Sequence, residues 1–156
     1  MNAVFRTARP DDLDAVVALA QHLDSLNLPA DRGELSLLIE RSRASCAEGD
    51  EDYKDGQYLF VLEDTDSGRI VGTSMIIASH GTVGDPHHSL RLETHEHYSE
   101  TLGRLFRHET IQFVHSYTPH TEIGALVLDP AYRNHPNKLG RPLSFVRFLF
   151  LSLIHI

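Results

Sequence analysis

The stretch from Glu122 to Phe150, EIGALVLDPAYRNHPNKLGRPLSFVRFLF, constrains the chain more than any other. It reads as a short apolar strand, Ile123 to Leu128, then a loop holding Pro130, Pro136 and Gly140, then a helix entered near Pro142. At a helix start several backbone N–H groups are unpaired and point one way, with the positive end of the helix dipole behind them. That arrangement suits an anion. Asp129 is the last acidic residue, and Arg133, Lys138, Arg141 and Arg147 follow it. A phosphate-bearing ligand would therefore meet positive charge in a chain whose net charge is -8. The same pattern also serves as plain punctuation between a strand and a helix. Neither GxxxxGK[ST] nor GxGxxG occurs, so this is not a P-loop or a dinucleotide fingerprint.

The acidic balance argues against nucleic acid and anionic membranes as partners, because both would be repelled at long range. A length of 156 residues suits one domain with a proper core. The single Cys46 excludes an internal disulfide, and MNAVFRTARPDD has no basic-then-apolar signal pattern. The expected compartment is the cytoplasm. The apolar run Leu143 to Ile156 is too short to span a bilayer and contains Arg147.

Along the chain, AVFRTA (Ala3 to Ala8) predicts a strand, and Pro10 with Asp11 and Asp12 predicts a helix start. Leu13, Val16, Val17, Ala20 and Leu23 then recur at helical spacing. Pro29 ends that helix, and Asp31 is expected to cap a second one with Leu35, Leu38 and Ile39 on its buried face, fading near Glu48 to Asp52. QYLFVLE and RIVGTSMIIA flank Asp64-Thr65-Asp66-Ser67-Gly68, which predicts a hairpin. The spaced acids of that turn lack the twelve-residue calcium-loop pattern. His80 to Tyr98 holds five histidines but no Cys and no helical HxxxH, so no metal site is assigned and solvated or partner-facing histidines are expected. Ser99 to Arg107 is expected to be helical, TIQFVH (Thr110 to His115) a strand, and Tyr117 to Thr121 a turn.

That order of elements resembles the GCN5-related N-acyltransferase fold. YLFVLEDTDSGRIVGTSMIIASHG, HYSETLGRLF, TEIGALVLDPAYR and HPNKLGRPLSFVRFLF together resemble the N-terminal half of the arginine N-succinyltransferase family. The resemblance implies an α/β (α+β) fold, a mixed sheet flanked by helices, ending after the acyl-CoA-binding helix. It implies succinyl-CoA as co-substrate, with no tightly bound cofactor, and L-arginine as acceptor. An oligomer or a second subunit stays open. The pantetheine arm would lie along Leu126, Val127 and Leu128, and the pyrophosphate on Lys138, Leu139, Gly140, Arg141, Leu143 and Ser144. The superfamily pattern [RQ]xxGx[GA], anchored on Gly140, places Asn137 where Arg or Gln is usual and Pro142 where a small residue is usual.

The implied reaction is direct attack of the α-amine on the thioester carbonyl, polarised by a central-strand N–H, with an acid protonating the leaving thiolate. In the family that acid is a His in the C-terminal half, which matches no segment here, so no catalytic residue is assigned. The last six residues, Leu-Ser-Leu-Ile-His-Ile, are also what one frame of a common transposon-end sequencing adapter encodes. The expectation is an incomplete acyltransferase-like domain over 1–150 and a non-native tail over 151–156, inactive by itself. Two other readings stay open: another acyl-CoA N-acyltransferase, or a module that binds CoA or a partner without chemistry.

Overall fold

The computed structural model describes residues 2–23, 25–47, 56–81, 83–84, 86–118 and 120–154. The polar stretch near Glu48 to Asp52 and the tail residues 155 and 156 lie outside the described residues. The chain divides into two compact units, Met1–Ser79 with Thr121–Ile156, and His80–His120.

The first unit is a sheet in the order β1 (Ala3–Thr7), β2 (Gln57–Asp64), β3 (Arg69–His80) and β6 (His120–Leu128). Helices α1 (Leu13–Ala20) and α2 (Arg32–Ala47) cover one face, and α3 (Gly140–Ile154) covers the other. β1 with β2 and β2 with β3 pair antiparallel. The bonds Asp129 N–H to Val71 O and Thr121 Oγ1–H to Ala78 O show that β6 runs antiparallel to β3 as well. β6 is thus one of the sheet's two edge strands, with β1 at the other edge.

Local rules explain the element starts. Asp31 Oδ1 accepts from Glu34 N–H at 2.9 Å, so Asp31 caps α2 as expected. In the β2–β3 turn, Gly68 takes φ 69°, a left-handed conformation that costs glycine nothing, and its N–H reaches Asp64 O at 2.7 Å. Asp64 also accepts from Asp66 N–H and Ser67 O–H. Between β1 and α1, Arg6 holds Asp12 with two bonds of 2.6 and 2.8 Å and Glu63 with a third of 2.6 Å.

Alternation in β2 divides the core. Leu59 and Val61 join Met75, Ala125 and Val127 beneath Val16, Leu19, Leu35 and Ile39. Tyr58 and Phe60 with Ile76 and Ala78 meet Val146, Phe150 and Leu151 of α3. Leu62 and Val71 meet Leu139 and Leu143. Each fully buried side chain of this kind contributes about 1.5–3 kcal/mol. Gly72 sits inside β3 because α3 comes so close: a Cβ there would lie 2.8 Å from Leu143 Cδ2 and 2.9 Å from Val127 O. α3 starts at Gly140, two residues before the expected entry, and runs on to Ile154.

The second unit corrects the reading of its segment. Ser99 to Arg107 is not a helix: β4 (His87–Ser99) turns through Gly103 at φ 57° into β5 (Arg104–Ser116). TIQFVH is only part of β5, and most of the histidine-rich segment His80 to Tyr98 is β4. The two pair over their whole length, so Leu90 faces Phe113, Leu92 faces Ile111, His88 faces His115 and His95 faces His108. All nine residues expected to be helical are thus turn and strand, because the glycine and a register shared across thirteen pairs outweigh the local propensity of ETLGRLF. His88 and His115 share a hydrogen bond of 2.9 Å between their Nδ1 atoms. Among the described residues no three His, Cys, Asp or Glu side chains cluster as metal ligands, and no helix is long and apolar enough to cross a membrane.

Candidate functional site

The open edge of β6 and the entry to α3 converge. Asp129 N–H bonds Val71 O, and Ala125 O accepts from Thr73 Oγ1 at 3.0 Å, so these backbone groups face β3. By the alternation of an antiparallel pair, the backbone groups of Leu126 and Leu128 turn to the open edge. Leu128 O there accepts from Arg133 Nε–H at 3.2 Å. Ala125 has φ 48°, an unusual value for a residue with a Cβ, so the strand is kinked immediately before Leu126. Leu126 is 42% exposed, whereas Val127 is buried against the α1–α2 face and its carbonyl is turned toward Gly72 of β3.

Beyond β6 the chain folds through a turn at Pro130–Tyr132, capped by Asp129 Oδ1 accepting from Ala131 N–H at 2.8 Å. Lys138, at φ 50°, then reverses the backbone into α3. The donors at this entry can be counted. Lys138 N–H goes to His135 O, Arg141 N–H to Lys138 O and Leu143 N–H to Leu139 O, and Pro142 has no N–H. Leu139 and Gly140 are left, with N–H groups that have no partner among the described residues. Within the loop expected to hold the pyrophosphate, the unpartnered backbone donors are thus these two.

Lys138 and Arg141 are exposed at the entry, Leu139 and Leu143 are buried beneath it, and Ser144 is half-buried one turn on. Arg133, Lys138, Arg141 and Arg147 have no carboxylate within ion-pair distance among the described residues. A cavity of about 270 Å³ lies between Leu126, Val127 and Leu128 on one side and Gly140 and Leu143 on the other, closed by His22, Leu23 and Arg133. Each proposed ligand residue of β6 and two of the loop set therefore border one space. Sequence reasoning left Arg147 out of the site set, although it is 95% buried and its guanidinium bonds Ser144 O at 3.2 Å and Ser144 Oγ at 2.8 Å. Burial pushes its pKa below the ordinary value. An arginine on the sheet-facing side of an otherwise apolar helix was the available signal.

The family profile of arginine N-succinyltransferase beta subunit matches residues 3–155. An arginine N-succinyltransferase of Yersinia enterocolitica is 37% identical over 130 residues, covering 81% of this chain and 35% of the relative. That of Shigella boydii is 32% identical over 151 residues, covering 96% and 43%. The solved arginine/ornithine succinyltransferase subunit AI from Pseudomonas aeruginosa superposes with a TM-score of 0.83 at 31% identity, over 96% of this chain and 45% of that one. An acetyltransferase from Trypanosoma brucei, at 19% identity and a TM-score of 0.51, shares the fold. The chain thus spans less than half the length of these succinyltransferase relatives, and its mixed α/β fold is shared with an acetyltransferase. It belongs to the arginine N-succinyltransferase beta subunit family.

Proposed function

We propose that this chain carries the acyl-CoA half of an arginine N-succinyltransferase, a cytoplasmic enzyme of arginine catabolism. The convergence of the kinked β6 edge with the α3 entry supports this most directly. CoA would lay its pantetheine amides against the Leu126 and Leu128 backbone as a further strand would. Its pyrophosphate would receive the Leu139 and Gly140 N–H groups, the helix dipole, and the charges of Lys138 and Arg141. The thioester carbonyl then lies beside the kink, where the Leu126 N–H polarises it.

The neutral α-amine of arginine attacks this carbonyl carbon. A C–N bond forms, the C–S bond breaks, the amine gives up a proton and the CoA thiolate takes one up. No histidine of this chain is assigned to either proton transfer. The chain alone is therefore expected to bind CoA without turning it over. The longer protein, carrying the remainder found in its relatives, is expected to release thiol from succinyl-CoA only with arginine present, and far more slowly from acetyl-CoA. Equal rates with both donors, or no need for arginine, would favour another acyl-CoA N-acyltransferase. In calorimetry, Gly140→Asp should weaken CoA binding about tenfold or more, because a carboxylate meets phosphate at a helix start. Unchanged binding would reduce the loop to a plain connection between strand and helix.

A further inference from the structure

Two buried polar side chains occupy the layer between the sheet and α3, and neither is explained by the fold. Ser74 is fully buried, and its Oγ has no hydrogen-bond partner among the described residues. Its cross-strand neighbour Phe60 packs edge-on against Phe150 at 5.0 Å, so Ser74 faces α3. Arg147 is the second, a cation buried with no carboxylate near it among the described residues. Interiors ordinarily pair such groups.

Their level in the layer follows from contacts on either side. Leu143 lies over Gly72, and Phe150 lies against Tyr58 and Phe60, the partners of Ile76 and Ser74. Arg147, between them on the helix, is therefore level with Thr73 and Ser74. Thr73 bonds Ala125 O, so the same level on β6 is the kink at Ala125. Distance along each element agrees. From Gly140 to Arg147 the helix rises about 10 Å, and from Leu128 to Ala125 the strand rises about 10 Å. Gly140, Ser144 and Arg147 share one stripe of α3, and Gly140 borders the cavity against Leu126 and Leu128. The Ser144 hydroxyl and carbonyl hold the guanidinium on that side.

We propose that Arg147, positioned by Ser144, binds the free carboxylate of a dicarboxylic acyl group carried on CoA, with Ser74 as a second donor to it. This deepens the reading above and rests on it. With the thioester carbonyl at the kink, an acyl chain of four carbons ends within reach of the layer that holds Arg147. A monocarboxylic acyl group would leave the cation and the hydroxyl buried and unsatisfied, which is how a site rejects the wrong donor.

The experiment is calorimetric titration of the chain with CoA, butyryl-CoA and succinyl-CoA, which separates the carboxylate from the rest of the ligand. Succinyl-CoA is expected to bind about tenfold tighter than butyryl-CoA, the scale of a charge-assisted pair. Arg147→Met should erase that difference, leave CoA affinity unchanged and raise the melting temperature, because a buried unpaired charge is removed. Ser74→Ala should reduce the preference in part. A structural role for Arg147 would instead lower the melting temperature and leave the preference intact, overturning the proposal. Failure of the parent chain to bind CoA at all would overturn both the acyl-CoA site and this inference. CoA binding with no preference for succinyl-CoA would overturn this inference alone.

Discussion

β2 and β5 are built from similar side chains and meet opposite fates. In β2 every residue from Tyr58 to Leu62 is buried, whereas in β5 Leu105, Phe106, Ile111 and Phe113 are 45–67% exposed. Both strands are antiparallel and both have a partner over most of their length. What differs is cover: β2 has helices on both faces, and within its own unit the β4–β5 hairpin has none. Cross-strand pairs such as Leu92 with Ile111 are worth about 0.2–1 kcal/mol each, and a buried core side chain about 1.5–3 kcal/mol. Strand-forming residues therefore set which segments pair, and layer packing sets how stable the pairing is.

The widest gap between the two regions should appear on truncating equivalent leucines. Leu59→Ala is expected to cost about 3 kcal/mol in denaturant titration, and Leu92→Ala no more than about 0.5 kcal/mol. Comparable losses would break the contrast, and would mean that something covers the hairpin in solution.

Next in size is the ion pair that ties β1 to the start of α1. Burial pushes the Asp12 carboxyl up, but the hydrogen bonds from Arg6 and from the Arg9 backbone outweigh it and hold it below the ordinary carboxylate value. The hydrogen bond to Asp12 in turn raises the Arg6 guanidinium. A depressed carboxylate stabilises the fold above its unfolded pKa of about 3.9, and that contribution is lost as pH falls through the folded value. Arg6→Met is therefore expected to cost about 2–3 kcal/mol at pH 7, with the difference from the parent shrinking below about pH 4. Urea titrations from pH 7 to pH 3 would show it. A difference that stays constant would remove Asp12 from the account. Among the described residues the hairpin's arginine ion pairs are longer and more exposed: Arg107 meets Glu96 at 3.9 Å and Arg91 meets Glu93 at 3.7 Å.

The smallest effect sharpens the comparison inside the packed layer. Gly72→Ala should cost about 1–2 kcal/mol, because its methyl would meet Leu143 and the Val127 carbonyl. Gly84→Ala in the other unit meets nothing within 4 Å and should leave the melting temperature unchanged. Equal effects would mean that α3 gives way more easily than its packing suggests.

Local chemistry determined much of this protein from the sequence alone. The D-T-D-S-G turn, the Asp31 cap, the start at Pro10 and the strand–loop–helix from Ile123 to Phe150 rest on φ preferences, caps and periodicity. These act within a few residues and can be read along the chain. The tertiary structure decided the rest: the length of β4 and β5, the kink at Ala125, the reason for Gly72, the N–H groups of Leu139 and Gly140 left without a partner among the described residues, and the burial of Arg147. Each depends on what lies across a strand or beneath a helix. The free energy of burying a group is set by neighbours remote in sequence, and no local pattern records whether an arginine has met its carboxylate.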